Sequence, residues 1–106
     1  MTYGELKLIA RTVSGFDKRG QPIYAENETT VLCEVVSVSR QEYFESAQVG
    51  VNPEWQFRIA TSEYSGELIV EYEKKRFKIY RHYDRDDDMT ELYCEFAPGV
   101  QGGVKT

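Results

Sequence analysis

The sequence is short of several things that would each point to a particular chemistry. It has two cysteines in 106 residues, Cys33 and Cys94, too far apart for a C-x-x-C pair. With a single histidine, His82, that stock of soft ligands is too thin for a conventional structural zinc site. No apolar run approaches the roughly twenty residues of a membrane span, and residues 1–5 carry neither the basic region nor the apolar stretch of a secretory leader. Positive charge is also scarce: 13 Lys and Arg stand against 18 Asp and Glu, a formal net charge of −5. A chain that wraps a phosphate backbone needs clustered cations, and here the overall balance is repulsive. There is no glycine-rich phosphate loop, no G-x-S-x-G elbow and no spaced pair of catalytic carboxylates, so nothing points to an enzyme or to a bound cofactor.

What the chain does have is an ordinary folding composition, 41% hydrophobic and 29% charged, in a length suited to one domain. We take residues 1–97 as that domain and residues 98–106, with Pro98, Gly99, Gly102 and Gly103, as a flexible tail. The cysteines read as small buried apolar residues of a reducing compartment rather than a disulfide.

Alternation of period two dominates the second half. Trp55, Phe57 and Ile59 alternate with polar residues, as do Leu68, Val70 and Tyr72, then Phe77, Ile79 and Arg81, then Leu92, Cys94 and Phe96. This predicts a four-stranded antiparallel meander with one buried face. Symmetric hairpins would place Ile59 opposite Leu68, Phe57 opposite Val70, Tyr72 opposite Phe77, Val70 opposite Ile79, Phe77 opposite Phe96 and Ile79 opposite Cys94. His82 then falls on the face opposite Cys94, in solvent, which leaves no Cys–His pair there. Two earlier strands, over 5–13 and 30–38, flank a turn-rich loop over 14–22. The fold class is therefore mainly β: a small antiparallel barrel or sandwich of about six strands, with one short helix after the second.

That helix is announced by Ser39-Arg40-Gln41-Glu42, a capping box in which hydroxyl and carboxylate each satisfy an orphan backbone N–H. Phe44, Ala47 and Val51 follow at helical spacing, and Gly50 offers a stop. About ten residues are too few to stay helical alone, so order must come from docking. Spacing alone suggests a plug in one barrel end; the alternative is a segment that changes partner on assembly. Two further clusters read as surface features. Asp84, Asp86 and Asp88 mimic the start of a calcium loop, but Met89 stands where such a loop needs glycine. Lys74, Lys75 and Arg76 form a weak basic patch, at a hairpin where lysines also guard against edge pairing.

Taken in order, these motifs resemble the head–tail joining, or head-closure, proteins of tailed bacteriophages and prophages. The resemblance runs from Gly4 to Phe96, through Asp17-x-x-Gly20, Cys33-Glu34-Val35, Ser39-x-x-Glu42-Tyr43-Phe44-x-x-Ala47-Gln48, Phe57-Arg58-Ile59, Val70-x-Tyr72, Phe77-x-Ile79 and Glu91-Leu92-Tyr93-Cys94. One feature departs from the family: its tryptophan commonly precedes the Ser-x-x-Glu helix, whereas Trp55 follows it, which keeps a tail-completion role open. The resemblance implies a structural protein of the virion neck, assembled in the bacterial cytoplasm. It would dock as a ring, usually of twelve copies, between the portal with its adaptor and the tail proteins, monomeric until then, with DNA passing through unbound. It further implies a channel or stopper segment at Glu42, Tyr43, Phe44, Glu45, Ala47, Gln48, Val51 and Asn52. Asp17, Gly20 and Pro22 are the candidate ring-contact loop. A barrel-type nucleic-acid module using Lys74 to Arg76 is the alternative from another class.

Overall fold

In the computed structural model, which describes residues 2–97, six antiparallel strands close into a barrel: β1 (Thr2–Phe16), β2 (Pro22–Val36), β3 (Pro53–Ala60), β4 (Ile69–Tyr72), β5 (Lys75–Asp84) and β6 (Met89–Phe96). One helix, α1 (Arg40–Gln48), follows β2, and a 3₁₀ turn (Thr61–Glu63) follows β3. Around the barrel the order is β1-β2-β3-β6-β5-β4. Closure leaves no sheet edge within the barrel wall. Leu6, Leu8, Val31, Cys33, Phe57, Ile59, Val70, Phe77, Ile79, Leu92 and Cys94 form the core, with Trp55 and Tyr72 packed edge-on beside them.

The meander is real only in part. β4, β5 and β6 are consecutive neighbours, and Phe77 faces Phe96 and Ile79 faces Cys94 as the arithmetic requires. β3, however, does not pair with β4. It lies between β2 and β6, with Phe57 opposite both Val35 and Leu92. Thr61 explains the exit: its N–H donates to Asp88 O at 2.8 Å and its hydroxyl meets that of Thr90 at 2.9 Å, so the end of β3 is tied to β6. Residues 64–68 then cross to β4. Leu68, predicted inside, is 63% exposed there; Val70 is in the core as predicted, and Ile69 is buried beside it.

The β4–β5 register also differs, by two residues: Val70 faces Phe77 and Tyr72 faces Lys75. A shift of two keeps each side chain on its face. The cause is a two-residue turn in place of the expected four-residue loop, with Glu73 and Lys74 both at positive φ (51° and 70°). That is the geometry hairpins prefer, but neither residue type suits it. Replacing the pair by Asn-Gly is expected to raise stability by about 0.5–1 kcal/mol, read by urea denaturation at unchanged m-value.

The first hairpin is longer than the sequence reading allowed. β1 and β2 pair from Thr2↔Val35 to Phe16↔Pro22, with one irregularity between Val13 and Gly15. β1 pairs with β4 only through Lys7, Leu8 and Ile9, and β2 pairs with β3 only through Glu34, Val35 and Val36. The rest of the hairpin is a ribbon that leaves the barrel wall, and the molecule extends 46 Å along its longest axis. The ribbon's root curls over the barrel's outer face. Ile9 and Ile69 are buried there, outside the core, and buried Arg76 from β5 reaches Glu26 at 2.9 Å, Glu71 at 3.3 Å and Glu28 at 3.6 Å. The proposed tail, 98–106, lies outside the described residues.

Candidate functional site

The segment that interrupts the β pattern is positioned differently from its sequence reading. Ser39 caps α1 as predicted, its hydroxyl accepting from Glu42 N–H at 3.1 Å, and Gly50 takes φ +81° just past the C-cap residue Val49. The second half of the capping box is missing, because the Glu42 carboxylate is engaged elsewhere. It accepts from Tyr80 Oη at 2.7 Å and from Ser46 Oγ at 2.9 Å, and it pairs with the Arg81 guanidinium. The helix therefore lies on the outer wall of the barrel, against β3 and the latch residues of β5. It does not plug an end.

Its buried residues are Glu42 and Ser46, both polar. The apolar spacing had marked Phe44, Ala47 and Val51 as the docking face. Phe44 is instead 63% exposed, Ala47 is exposed, Val51 is half-buried, and Tyr43 and Val49 stand in solvent with Phe44. Gln41 and Glu45 bond to each other on the outside at 3.0 Å, and Gln48 and Asn52 are exposed. A short helix held by a charged cluster, with Phe44 in solvent and Tyr43 only half covered, is the reverse of ordinary amphipathic docking.

The electrostatics explain why a polar face suffices. Burial would raise the Glu42 carboxyl, but hydrogen bonds from Tyr80, Ser46 and Arg81 outweigh it and hold the group below its ordinary value of 4.5. Burial also pushes the Tyr80 hydroxyl up, so it remains a donor. Arg81 loses some solvation yet titrates above its ordinary value because of Glu42, and its guanidinium lies 3.9 Å from the Tyr93 ring centroid.

Sequence reasoning missed Tyr80 and Arg81. The alternation put Arg81 on the inner face with Phe77 and Ile79. A β-bulge between Ile79 and Arg81 reverses that assignment, placing Arg81 opposite Tyr93 on the outer wall. An arginine at an inward position of an apolar alternation was the available signal. The same bulge sets His82 opposite Leu92, on the inner side at the barrel mouth, where it is exposed and lies with its ring tilted against Tyr64 at 5.2 Å. It is in solvent as expected, though not for the reason of strand parity.

The remaining sites resolve as follows. Asp17 and Gly20 build the turn between β1 and β2: Asp17 Oδ1 accepts from the N–H groups of Arg19 and Gln21 at 2.8 and 2.9 Å, and Gly20 has φ +82°. Pro22 opens β2 opposite Phe16. The basic patch is dismantled: Lys74 and Lys75 are exposed at a turn, but Arg76 is 4% exposed and held by three glutamates. In the acidic run Asp84 accepts from Thr90 Oγ1, Asp87 pairs with Arg85, and Asp88 is a positive-φ turn residue. Both cysteines are free and buried; burial pushes the Cys33 thiol up to about 11 and raises Cys94 further. No protein-family model matches the chain, and no curated protein matches it.

Proposed function

We propose that this protein is a structural closure element of a tailed-phage neck, in which copies form a ring and α1 serves as the movable stopper. The observation that carries the reading is the mode of helix docking. A nine-residue helix is too short to persist alone, and this one is fastened to its barrel through the Glu42 carboxylate and its two donors on β5, Tyr80 and Arg81. Tyr43 and Phe44 are left facing solvent. A segment built this way can exchange its polar latch for contacts with neighbours and swing aside as a unit. Tyr43, Phe44 and Val49 together give the helix an exposed apolar surface for a partner.

Charge supports the same reading. Twelve copies carry roughly −60, and an acidic conduit repels phosphates, letting DNA slide instead of sticking. The burial of Arg76 removes one of the three cations on which the nucleic-acid reading drew, leaving Lys74 and Lys75 exposed at a turn. Tail completion, in the same neck, is the second reading, which the late position of Trp55 keeps open. Deleting residues 43–52 is expected to leave a folded barrel whose particles lose their packaged DNA. Replacing Tyr43 and Phe44 by alanine should do the same with stability changed by less than about 0.5 kcal/mol. Full DNA retention in both variants would remove the stopper assignment.

A further inference from the structure

The insertion that carries α1 leaves the barrel after β2 and rejoins it at β3, and its two stems frame an open pocket of about 610 Å³ at that end of the barrel. Tyr43, Trp55 and Tyr72 supply its aromatic lining. The Trp55 and Tyr72 rings meet edge to face with centroids 5.2 Å apart, and both pack against buried Phe57. Gly4 leaves room for this arrangement, since a Cβ there would stand 3.3 Å from the Tyr72 ring. The sequence sets a glutamate beside each of these rings, Glu54 before Trp55 and Glu73 after Tyr72, and both line the pocket. Neither carboxylate makes an ion pair among the described residues. No lysine or arginine among those residues lines the pocket; Lys75 and Arg40 line adjoining clefts. Burial, and then the Glu73 charge, raise the Tyr72 hydroxyl above its ordinary value, so that charge is felt at the ring.

We propose that this pocket receives an arginine side chain from a partner protein, its guanidinium held against Trp55 and Tyr72 with Glu54 and Glu73 as counter-ions. The chain's own wall uses the same chemistry twice. Arg81 pairs with Glu42 while its guanidinium lies 3.9 Å from the Tyr93 ring centroid, and Arg11 pairs with Glu26 while lying 5.2 Å from that of Tyr24. The pocket repeats the carboxylates and the rings, but its lining brings no cation to them. An anionic segment would meet two like charges there, and a purely apolar one would cover them unpaired. A cation gains from both acids and from the ring faces. Arginine suits the site better than lysine, because its planar, weakly hydrated guanidinium stacks on aromatic rings. The site stands apart from the stopper reading and needs neither DNA nor a ring to be tested.

Trp55 is the only tryptophan, so its emission reports the pocket directly. The full chain is titrated at low salt with the blocked peptide Gly-Arg-Gly-Arg-Gly, and with versions carrying lysine, citrulline or glutamate in place of arginine. A saturable change is expected with arginine and binding about threefold weaker with lysine. Citrulline, the uncharged isostere, and glutamate should give no saturable change. Glu54→Gln with Glu73→Gln should weaken arginine binding by about tenfold or more. Glu63→Gln with Asp86→Asn removes the same charge at the other end of the barrel and should change binding by less than about twofold. Circular dichroism of each variant verifies the fold first. No saturable change with the arginine peptide, equal binding of the citrulline peptide, or equal loss in the two double variants would each overturn the proposal. Those outcomes leave the stopper assignment standing, since it is read from DNA retention.

Discussion

Arg76→Met is expected to lower the unfolding free energy by about 2–3 kcal/mol and the melting temperature by roughly 10–20 °C. Arg76 is itself buried, and its guanidinium holds Glu26, Glu28 and Glu71 on two different strands. The hydrogen bond to Glu26 raises the arginine above its ordinary value, and the same bond holds the Glu26 carboxyl below 4.5. Removing Arg76 leaves three carboxylates at the ribbon's root with only Arg11 and Lys7 to balance them. They are half-exposed, which keeps the figure below that of a fully buried pair. Lysine should recover only part of the loss, because a point charge cannot make the forked contact. The triple variant Arg76→Met/Glu26→Gln/Glu71→Gln should recover more, since it removes the stranded charges too. A melting temperature within 3 °C of the parent for Arg76→Met would show that the ribbon's root is not held by this cluster.

The second large effect concerns α1. Glu42→Gln preserves shape but removes the charge that gathers Tyr80, Ser46 and Arg81. Helix docking should weaken by about 1–2 kcal/mol, speeding amide exchange across residues 40–48 roughly 5- to 30-fold. Amides of β3 and β6 should keep their protection. Acid should imitate the substitution. The folded-state carboxyl titrates below 4.5, so its contribution is complete above that value and disappears as pH falls through the folded value. The helix should therefore loosen only below pH 4.5, with no change of docking between pH 5 and 8. Glu26 titrates in the same direction, so the ribbon should loosen over the same acid range. Equal loss of protection in helix and barrel would mean that α1 is an integral part of the core and not a latched element.

The parts of this fold that were legible in the sequence are those governed by local chemistry. Alternation gave the inward face of most strands, Ser39 gave the start of the helix, and the arithmetic of the last hairpin gave Phe77–Phe96 and Ile79–Cys94 to the residue. What was not legible is which strand lies beside which. Phe57 can face Val70 or Leu92 with equal apolar burial, and the choice is made by Thr61 and Thr90 at the barrel's end. A single bulged residue near Tyr80 was enough to move Arg81 from the inside to the outside and create the latch. The helix face was misjudged because apolar spacing assumes docking on an apolar wall, whereas the wall beside α1 offers Tyr80 and Arg81.

The central claim is closure of the head, and the direct measurement is electron microscopy, with quantified encapsidated DNA, of particles from a phage or induced prophage lacking this protein. The account predicts finished tails lying free beside portal-bearing heads that have lost their DNA. Stable DNA-filled heads beside defective tails would contradict it and assign the protein to tail completion.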